Sequence, residues 1–225
     1  MVELFLNHGE ISLAHYGVLF LDEFPEFNKH TIELLRGPLE DRQVSINRVA
    51  GSYIYPSNFM LVASMNPCPC GYFGSDVKEC SCTKKQIIDY RNKISGPIID
   101  RIDIQVEVPN VKFDNFSENN IESSEQIRER VNKAREIQLR RYKDFKIYSN
   151  SELNQKLIEK VCKLDSKSKY ILKKSFEQLN LSARAYTRIL KVARTIADLE
   201  QAKNIRDVHI LEAIQYRSLD REYIK

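Results

Sequence analysis

Two carboxylates stand side by side at Asp22 and Glu23, directly after the apolar run Gly17-Val18-Leu19-Phe20-Leu21. Such a run reads as a central strand buried on both faces, and a strand ending in paired acids delivers both to the edge of a sheet where open α/β folds bind ligands. There Asp22 would hold Mg²⁺, directly or through water, and Glu23 would polarise a water attacking a phosphate. The same residues also describe a buried strand followed by a solvated turn, so the rest of the sequence has to decide. A polar amide, Asn66, follows the next apolar run, Phe59 to Ser64, and would orient the attacking water if the two strands are neighbours. Arg101 lies in Ile98-Ile99-Asp100-Arg101-Ile102-Asp103, just before a third apolar run from Ile102 to Val108. Alone, an Asp-Arg pair reads as a surface ion pair; in order with the other groups, it fits an arginine aimed at a neighbouring subunit's nucleotide.

A second constellation is Cys68-x-Cys70 and Cys80-x-Cys82, a C-x-C-x9-C-x-C spacing broken by Gly71, Gly74 and charged residues that suit a compact loop. Four soft thiolates there would close a structural tetrahedral zinc site, with Zn–S near about 2.3 Å. C-x-C is less diagnostic than C-x-x-C, because the intervening residue must strain to turn both sulfurs towards one ion. Four reduced thiols in a loop remain the alternative. Cys162 falls on an apolar helix face and reads as core. His8, His15, His30 and His209 have no ligand-like spacing.

The elements that must position these groups fall into two compositional halves, with a changeover near Asp114 to Ser124. The first half holds all seven glycines and all seven prolines and alternates short apolar runs with turns, the pattern of an α/β domain. Within it, Phe27 to Leu39 has helical spacing, and Gln43 to Tyr55 alternates around Gly51 like a hairpin. The second half is helical. Ile127, Val131, Ala134 and Ile137 share one helix face, and Leu153, Leu157 and Val161 repeat the spacing. Further helices fit Ser168 to Leu179, Ser182 to Glu200 and Arg206 to Arg217, with Ser182 and Asp207 near the caps. The spacing shows no internal repeat.

Composition sets loose bounds on function. The chain has 225 residues, of which 42% are hydrophobic and 29% charged, enough for one or two domains with real cores. Its 35 Lys+Arg against 31 Asp+Glu give a net charge of only +4, too mild to demand nucleic acid or an anionic membrane as partner. No apolar run approaches the roughly 20 residues needed to span a bilayer, and Met1 to His8 lacks the basic flank and cleavage signal of a leader. A cytoplasmic protein with reduced cysteines and no membrane partner is the expectation.

Gly9-Glu10-Ile11-Ser12-Leu13-Ala14-His15, the Gly17 to Glu23 run, Leu35-Arg36-Gly37-Pro38-Leu39-Glu40-Asp41, Asn66-Pro67-Cys68-Pro69-Cys70-Gly71, Ser95-Gly96-Pro97 with Asp100 to Asp103, Leu181-Ser182-Ala183-Arg184-Ala185 and Ala193 to Leu199 together resemble the ComM-type, magnesium-chelatase-like family of AAA+ ATPases. The resemblance runs through almost the whole chain. It implies a partial AAA+ P-loop-type α/β core with a parallel sheet over residues 1–113, followed by an all-α lid over 114–225. It also implies ATP and Mg²⁺ as ligands, a ring of subunits, hexameric in form, and DNA as a partner through branch migration in natural transformation. Asp22 and Glu23 then match the Walker B acids, Asn66 sensor 1 and Arg101 the arginine finger. Arg184, at the start of a lid helix, matches sensor 2; a lone arginine there otherwise reads as a helix-surface cation. Gln43 to Pro56 resembles the hairpin before sensor 1 that points into the pore of related motors. Arg48 on that hairpin is a candidate DNA contact or an ordinary solvated charge.

One departure matters. Members of the family carry a phosphate-cradling G-x-x-x-x-G-K-[ST] loop upstream of the Walker B strand, whereas here no glycine is followed by lysine, and only sixteen positions precede Gly17. The expectation is a truncated ATPase module, not competent for hydrolysis alone, with a separate amino-terminal half as partner. A sheet lacking its innermost strand would expose an apolar edge. The competing expectation is a non-catalytic ring-interaction module or the remnant of a split gene.

Overall fold

The computed structural model describes residues 9–48, 51–109, 122–179 and 181–217. The chain forms two compact units, Met1–Ile102 and Asp103–Lys225, each with a core of its own. The compositional changeover read near Asp114 to Ser124 falls mostly at 110–121, outside the described residues.

The first unit is α/β. Helix α1 (Glu10–Leu13) leads into strand β1 (Val18–Leu21), and a 3-10 turn (Phe24–Glu26) leads into α2 (Lys29–Leu34) and α3 (Arg36–Asp41). The helical spacing of Phe27 to Leu39 thus becomes two short helices meeting at Leu35. Pro38 explains the break, because its ring cannot follow the carbonyl of residue 34 in one continuous helix and is tolerated only in the first turn of a new one. Strands β2 (Gln43–Arg48) and β3 (Gly51–Pro56) pair antiparallel from Gln43↔Pro56 to Arg48↔Gly51, as the alternation around Gly51 predicts. Strand β4 (Met60–Ala63) then lies parallel beside β1 in the register Val18↔Met60 to Leu21↔Ala63. Helices α4 (Lys84–Arg91) and α5 (Gly96–Ile99) complete the unit.

Two sequence expectations about strands fail. Burial of β1 on both faces does not occur, because period-2 alternation turns only Leu19 and Leu21 onto the small core of Phe24, Ile32, Leu35, Ile94 and Ile98. Val18 and Phe20 are each 58% exposed, and their partners on β4, Met60 and Val62, are exposed beside them. The run Ile102 to Val108 is not a strand: no neighbouring strand pairs with it among the described residues, and Ile104, Val106 and Val108 are exposed. A strand needs a ladder partner as well as β-branched residues. Here the Ile102 N–H turns back to the Ile99 carbonyl at 3.0 Å, and the Gln105 N–H donates to the Tyr216 carbonyl at 2.9 Å, within the second unit; neither bond belongs to a strand ladder.

The second unit is all-α: α6 (Ser124–Arg141), a 3-10 turn (Asn150–Glu152), α7 (Gln155–Val161), α8 (Ser166–Leu179), α9 (Ala183–Leu199) and α10 (Asp207–Gln215). Capping fixes the starts. The Ser182 hydroxyl accepts from the N–H of Ala185 at 3.1 Å, and Ser123 with Gln126 closes a capping box on α6. Helix α10 begins one residue earlier than an Asp207 cap requires: Arg206 is the cap, and its N–H is taken by the His209 ring at 3.0 Å. Helix α9 is the centre of the unit. Its Ile189, Leu190, Ala193, Ile196 and Ala197 pack with Tyr142, Ile158, Leu172 and Ile210, and the alanines let neighbouring helices approach closely. Cys162 is buried in this core, as its helix face suggests.

Candidate functional site

The parallel pairing of β1 with β4 brings the two chemical ends of the strands together. Beyond the last pair, Leu21↔Ala63, come Asp22 on one strand and Ser64 on the other. Ser64 is held in place by its own backbone, its N–H donating to the Leu21 carbonyl at 3.0 Å and its carbonyl accepting from the N–H of Phe24 at 2.9 Å. Its hydroxyl donates to Asp22 Oδ1, which also accepts from the N–H of Glu23 at 3.0 Å. Both recorded bonds fall on Oδ1 of an exposed carboxylate. A hard oxygen donor, oriented and open to water, suits Mg²⁺.

Glu23 is exposed and sits in the left-handed region, φ 49°, ψ 45°, where a non-glycine residue is strained. That turn lifts the chain out of the sheet and into Phe24 and Pro25, both buried. Asn66 is exposed two residues beyond Ser64. Its backbone N–H faces the hydroxyl of Tyr90 on α4, a side chain only 5% exposed. Burial raises the Tyr90 hydroxyl above its ordinary range, opposed by Asn66 and reinforced by the charges of Glu26 and Glu23. Thus Asp22, Glu23, Ser64, Asn66 and Tyr90 converge at one end of the sheet. Sequence reasoning had the acids and the amide but gave no role to Ser64 or Tyr90. The signal for Ser64 was its place as the residue after β4, opposite Asp22; Tyr90 had none beyond the helical spacing of α4.

Arg101 stands apart from this group. Its side chain is 6% exposed and pairs with Glu40, and Nη1 donates to the Pro97 carbonyl at 2.8 Å. The guanidinium is therefore engaged inside its own unit, between the end of α3 and the start of α5. Arg48 is exposed at the end of β2. Arg184 is exposed in the first turn of α9, in the second unit.

The four cysteines do come together. Sγ atoms of Cys68 and Cys70 lie 3.4 Å apart, Cys68 and Cys80 3.7 Å, Cys70 and Cys80 3.5 Å, and Cys82 joins them with all four sulfurs within 4.8 Å of one another. The loop turns back through Gly71 and Gly74, whose φ values of 80° and 79° favour glycine. Thiol chemistry inside the cluster is uneven. The backbone N–H of Tyr72, helped by Cys68 and by the N–H of Ser81, draws Cys70 down to about 5 against desolvation. At Cys80 the N–H of Cys82 acts in the same direction, but desolvation and the sulfurs of Cys70 and Cys68 outweigh it and push the thiol up to about 12. Desolvation leads in raising Cys82. One thiolate opposes the next, so four need a cation among them.

Comparison with known proteins covers both units. Residues 4–116 match the family profile described as magnesium chelatase, subunit ChlI, and residues 121–217 match that of the ChlI C-terminal part. Competence protein ComM of Haemophilus influenzae is 44% identical over 216 residues, 95% of this chain and 41% of that protein. An uncharacterized protein, YifB, of Escherichia coli is 42% identical over 215 residues, with the same shares. An uncharacterized protein of Mycobacterium tuberculosis is 37% identical over 191 residues, 85% of this chain and 38% of its own length. The chain thus spans about two fifths of the length of these relatives. No helix among the described residues is long and apolar enough to cross a membrane.

Proposed function

The chain belongs to the magnesium-chelatase-like family that includes ComM, and on that premise we propose that it supplies the water-activating half of an AAA+ ATPase site in a ring that acts on DNA. The observation that carries this reading is the junction of Asp22 and Ser64 at the carboxyl ends of two neighbouring parallel strands, with Glu23 turned out beside it. Asp22, oriented by Ser64, is the group that would take Mg²⁺, which when bound neutralises phosphate charge. Glu23 accepts a proton from water. Asn66, fixed through its backbone at Tyr90, orients that water. Arg184, from the helical unit, serves as sensor 2, and Arg101 as the arginine finger. Arg48 on the exposed hairpin is the DNA-contact candidate. The 225 residues contain no glycine followed by lysine, so the phosphates must be cradled by residues outside them.

The test is an ATPase assay on this sequence joined to, or mixed with, the phosphate-loop segment of a relative such as ComM. Turnover should require both pieces and disappear in Glu23→Gln while nucleotide binding persists. Arg101→Ala should lower turnover on the order of a thousandfold, and mixing it with Glu23→Gln should restore part of the activity at mixed interfaces. Undiminished turnover in Glu23→Gln would sink the assignment of the base.

A second reading is favoured by one observation: Arg101 is already engaged by Glu40 and the Pro97 carbonyl. A non-catalytic module that joins a ring through this face would keep that arrangement. Such a module would associate with the phosphate-loop segment yet give no turnover in any of the mixtures above.

A further inference from the structure

The sulfur cluster lies outside the acid and amide group, yet one strand end joins them: Asn66, Pro67 and Cys68 are consecutive. A tetrahedron of thiolates around zinc at about 2.3 Å has sulfur-to-sulfur edges of about 3.8 Å. The three recorded edges, 3.4, 3.5 and 3.7 Å, fall just inside that figure, as expected of four sulfurs already gathered for an ion. Cys68, the ligand nearest Asn66, is fully buried. Backbone N–H groups of Tyr72 and Ser81 point at Cys70, and that of Cys82 at Cys80, the kind of outer support that fixes ligand direction at metal–thiolate sites. From Cys82 the chain enters α4 at once, through a capping box on Thr83 and Gln86. Helix α4 in turn reaches back to the other side of the cluster: Arg91 Nε donates to the Pro67 carbonyl at 3.2 Å, and Tyr90 meets Asn66.

We propose that Cys68, Cys70, Cys80 and Cys82 form a closed structural zinc site, and that the ion clasps the loop carrying Asn66 onto helix α4. The ion sits between the two segments that must stay together for Asn66 to keep its place, the chain leaving β4 and the chain entering α4. All four positions are protein sulfur, so no coordination site is open and the ion has no direct part in hydrolysis. The proposal stands apart from the ATPase reading, because metal content and loop protection are read without turnover.

Protein purified without chelator should carry about one zinc per chain, and Co²⁺ in its place should give the intense sulfur-to-metal charge-transfer and tetrahedral ligand-field bands of a tetrathiolate site. Cys82→Ser, at a half-buried ligand, should weaken retention against a chromogenic chelator at least about tenfold, since even residues outside the ligand set cost that much when removed. Cys162→Ala, in the helical unit, should leave the metal and its spectrum unchanged. Removing the ion should raise amide exchange at residues 66–91 while leaving α8 to α10 unaltered. Should no metal bind with all five thiols reduced and titratable, or should the cobalt spectrum survive Cys82→Ser, the site is refuted. Metal binding with unchanged exchange at 66–91 would overturn the clasp.

Discussion

The Ser64 hydroxyl donates to the Asp22 carboxylate across the carboxyl ends of two parallel strands, so the acid is oriented by a neighbour forty-two positions away in sequence. Ser64→Ala should leave the fold intact and loosen that orientation. A hydrogen bond to a charged acceptor contributes about 1.5–3 kcal/mol, less where water competes, so Mg²⁺-dependent nucleotide binding by the completed ATPase should weaken about five- to tenfold. Titration with a fluorescent nucleotide at varied Mg²⁺ reads this directly; no change would mean that the acid needs no orienting.

Glu23 adopts a backbone conformation that glycine accepts readily. Glu23→Gly should therefore cost no stability, or gain up to about 1 kcal/mol by relieving the left-handed strain, while abolishing turnover. Thermal unfolding and ATPase assays on the same preparation would separate the two effects. A lower melting temperature would show that the Glu23 side chain supports the fold.

Glu40 is half exposed, but the guanidinium it pairs with is nearly buried, and Arg101 Nε has no recorded acceptor. Glu40→Ala should destabilise the first unit by about 1–3 kcal/mol, below the range for a fully buried pair because water reaches Glu40. Urea unfolding followed by tyrosine fluorescence would measure it. Parent-like unfolding would leave the Pro97 carbonyl as the principal holder of Arg101.

Asp198 is fully buried on α9 and holds two arginines: Arg141 Nη1 donates at 2.8 Å and Arg194 Nε at 3.2 Å, with Asn150 Nδ2 at 2.9 Å. Burial lowers Arg194 below its usual range, and the Asp198 carboxylate acts against it. Asp198→Asn leaves both cations without a counter-charge and should cost about 3–5 kcal/mol. Asp207→Asn, whose surface pair with Lys167 spans 2.5 Å, should cost far less, because water screens the pair. Equal losses in the two variants would contradict the account.

Asp165 caps α8, accepting from the Ser168 N–H at 2.7 Å. That bond, with the Ser168 hydroxyl, holds its carboxyl below the ordinary aspartate range. A depressed folded value stabilises above the unfolded one and is lost as pH falls through the folded one. Asp165→Ala should thus melt lower than the parent at neutral pH, with the gap narrowing as pH is taken from about 5 to about 2, around the ordinary value near 4. A gap independent of pH would remove charge from the explanation.

Features written in one stretch of residues were legible from sequence: the acids after an apolar run, the alternation around Gly51, the Ser182 cap and the thiol spacing. Features that depend on which segments meet were not. Ile102 to Val108 has the composition of a strand but no ladder to join. Nothing near Arg101 announces that Glu40 will cover it, because the two meet only once α3 and α5 pack. The Asp198 network left one trace, an arginine and an aspartate four apart on a helix face otherwise apolar, and charges on such a face must find partners. The exposure of Val18 and Phe20 was not legible either: an apolar run alone does not tell how many faces of the strand will be covered, and here only one is.

The central place of α9 also sets a timetable for synthesis. Helices α6 and α7 are made before α9, the helix they pack upon, and α8 before its main partner α10; the first residue of α6 precedes the last of α9 by seventy-five positions. At about 5–20 residues per second, the start of α6 waits roughly 4–15 seconds for the end of α9, and the later helices wait less. The helical unit therefore completes its core only once α9 and α10 have been made, so its apolar faces stay open for most of its synthesis.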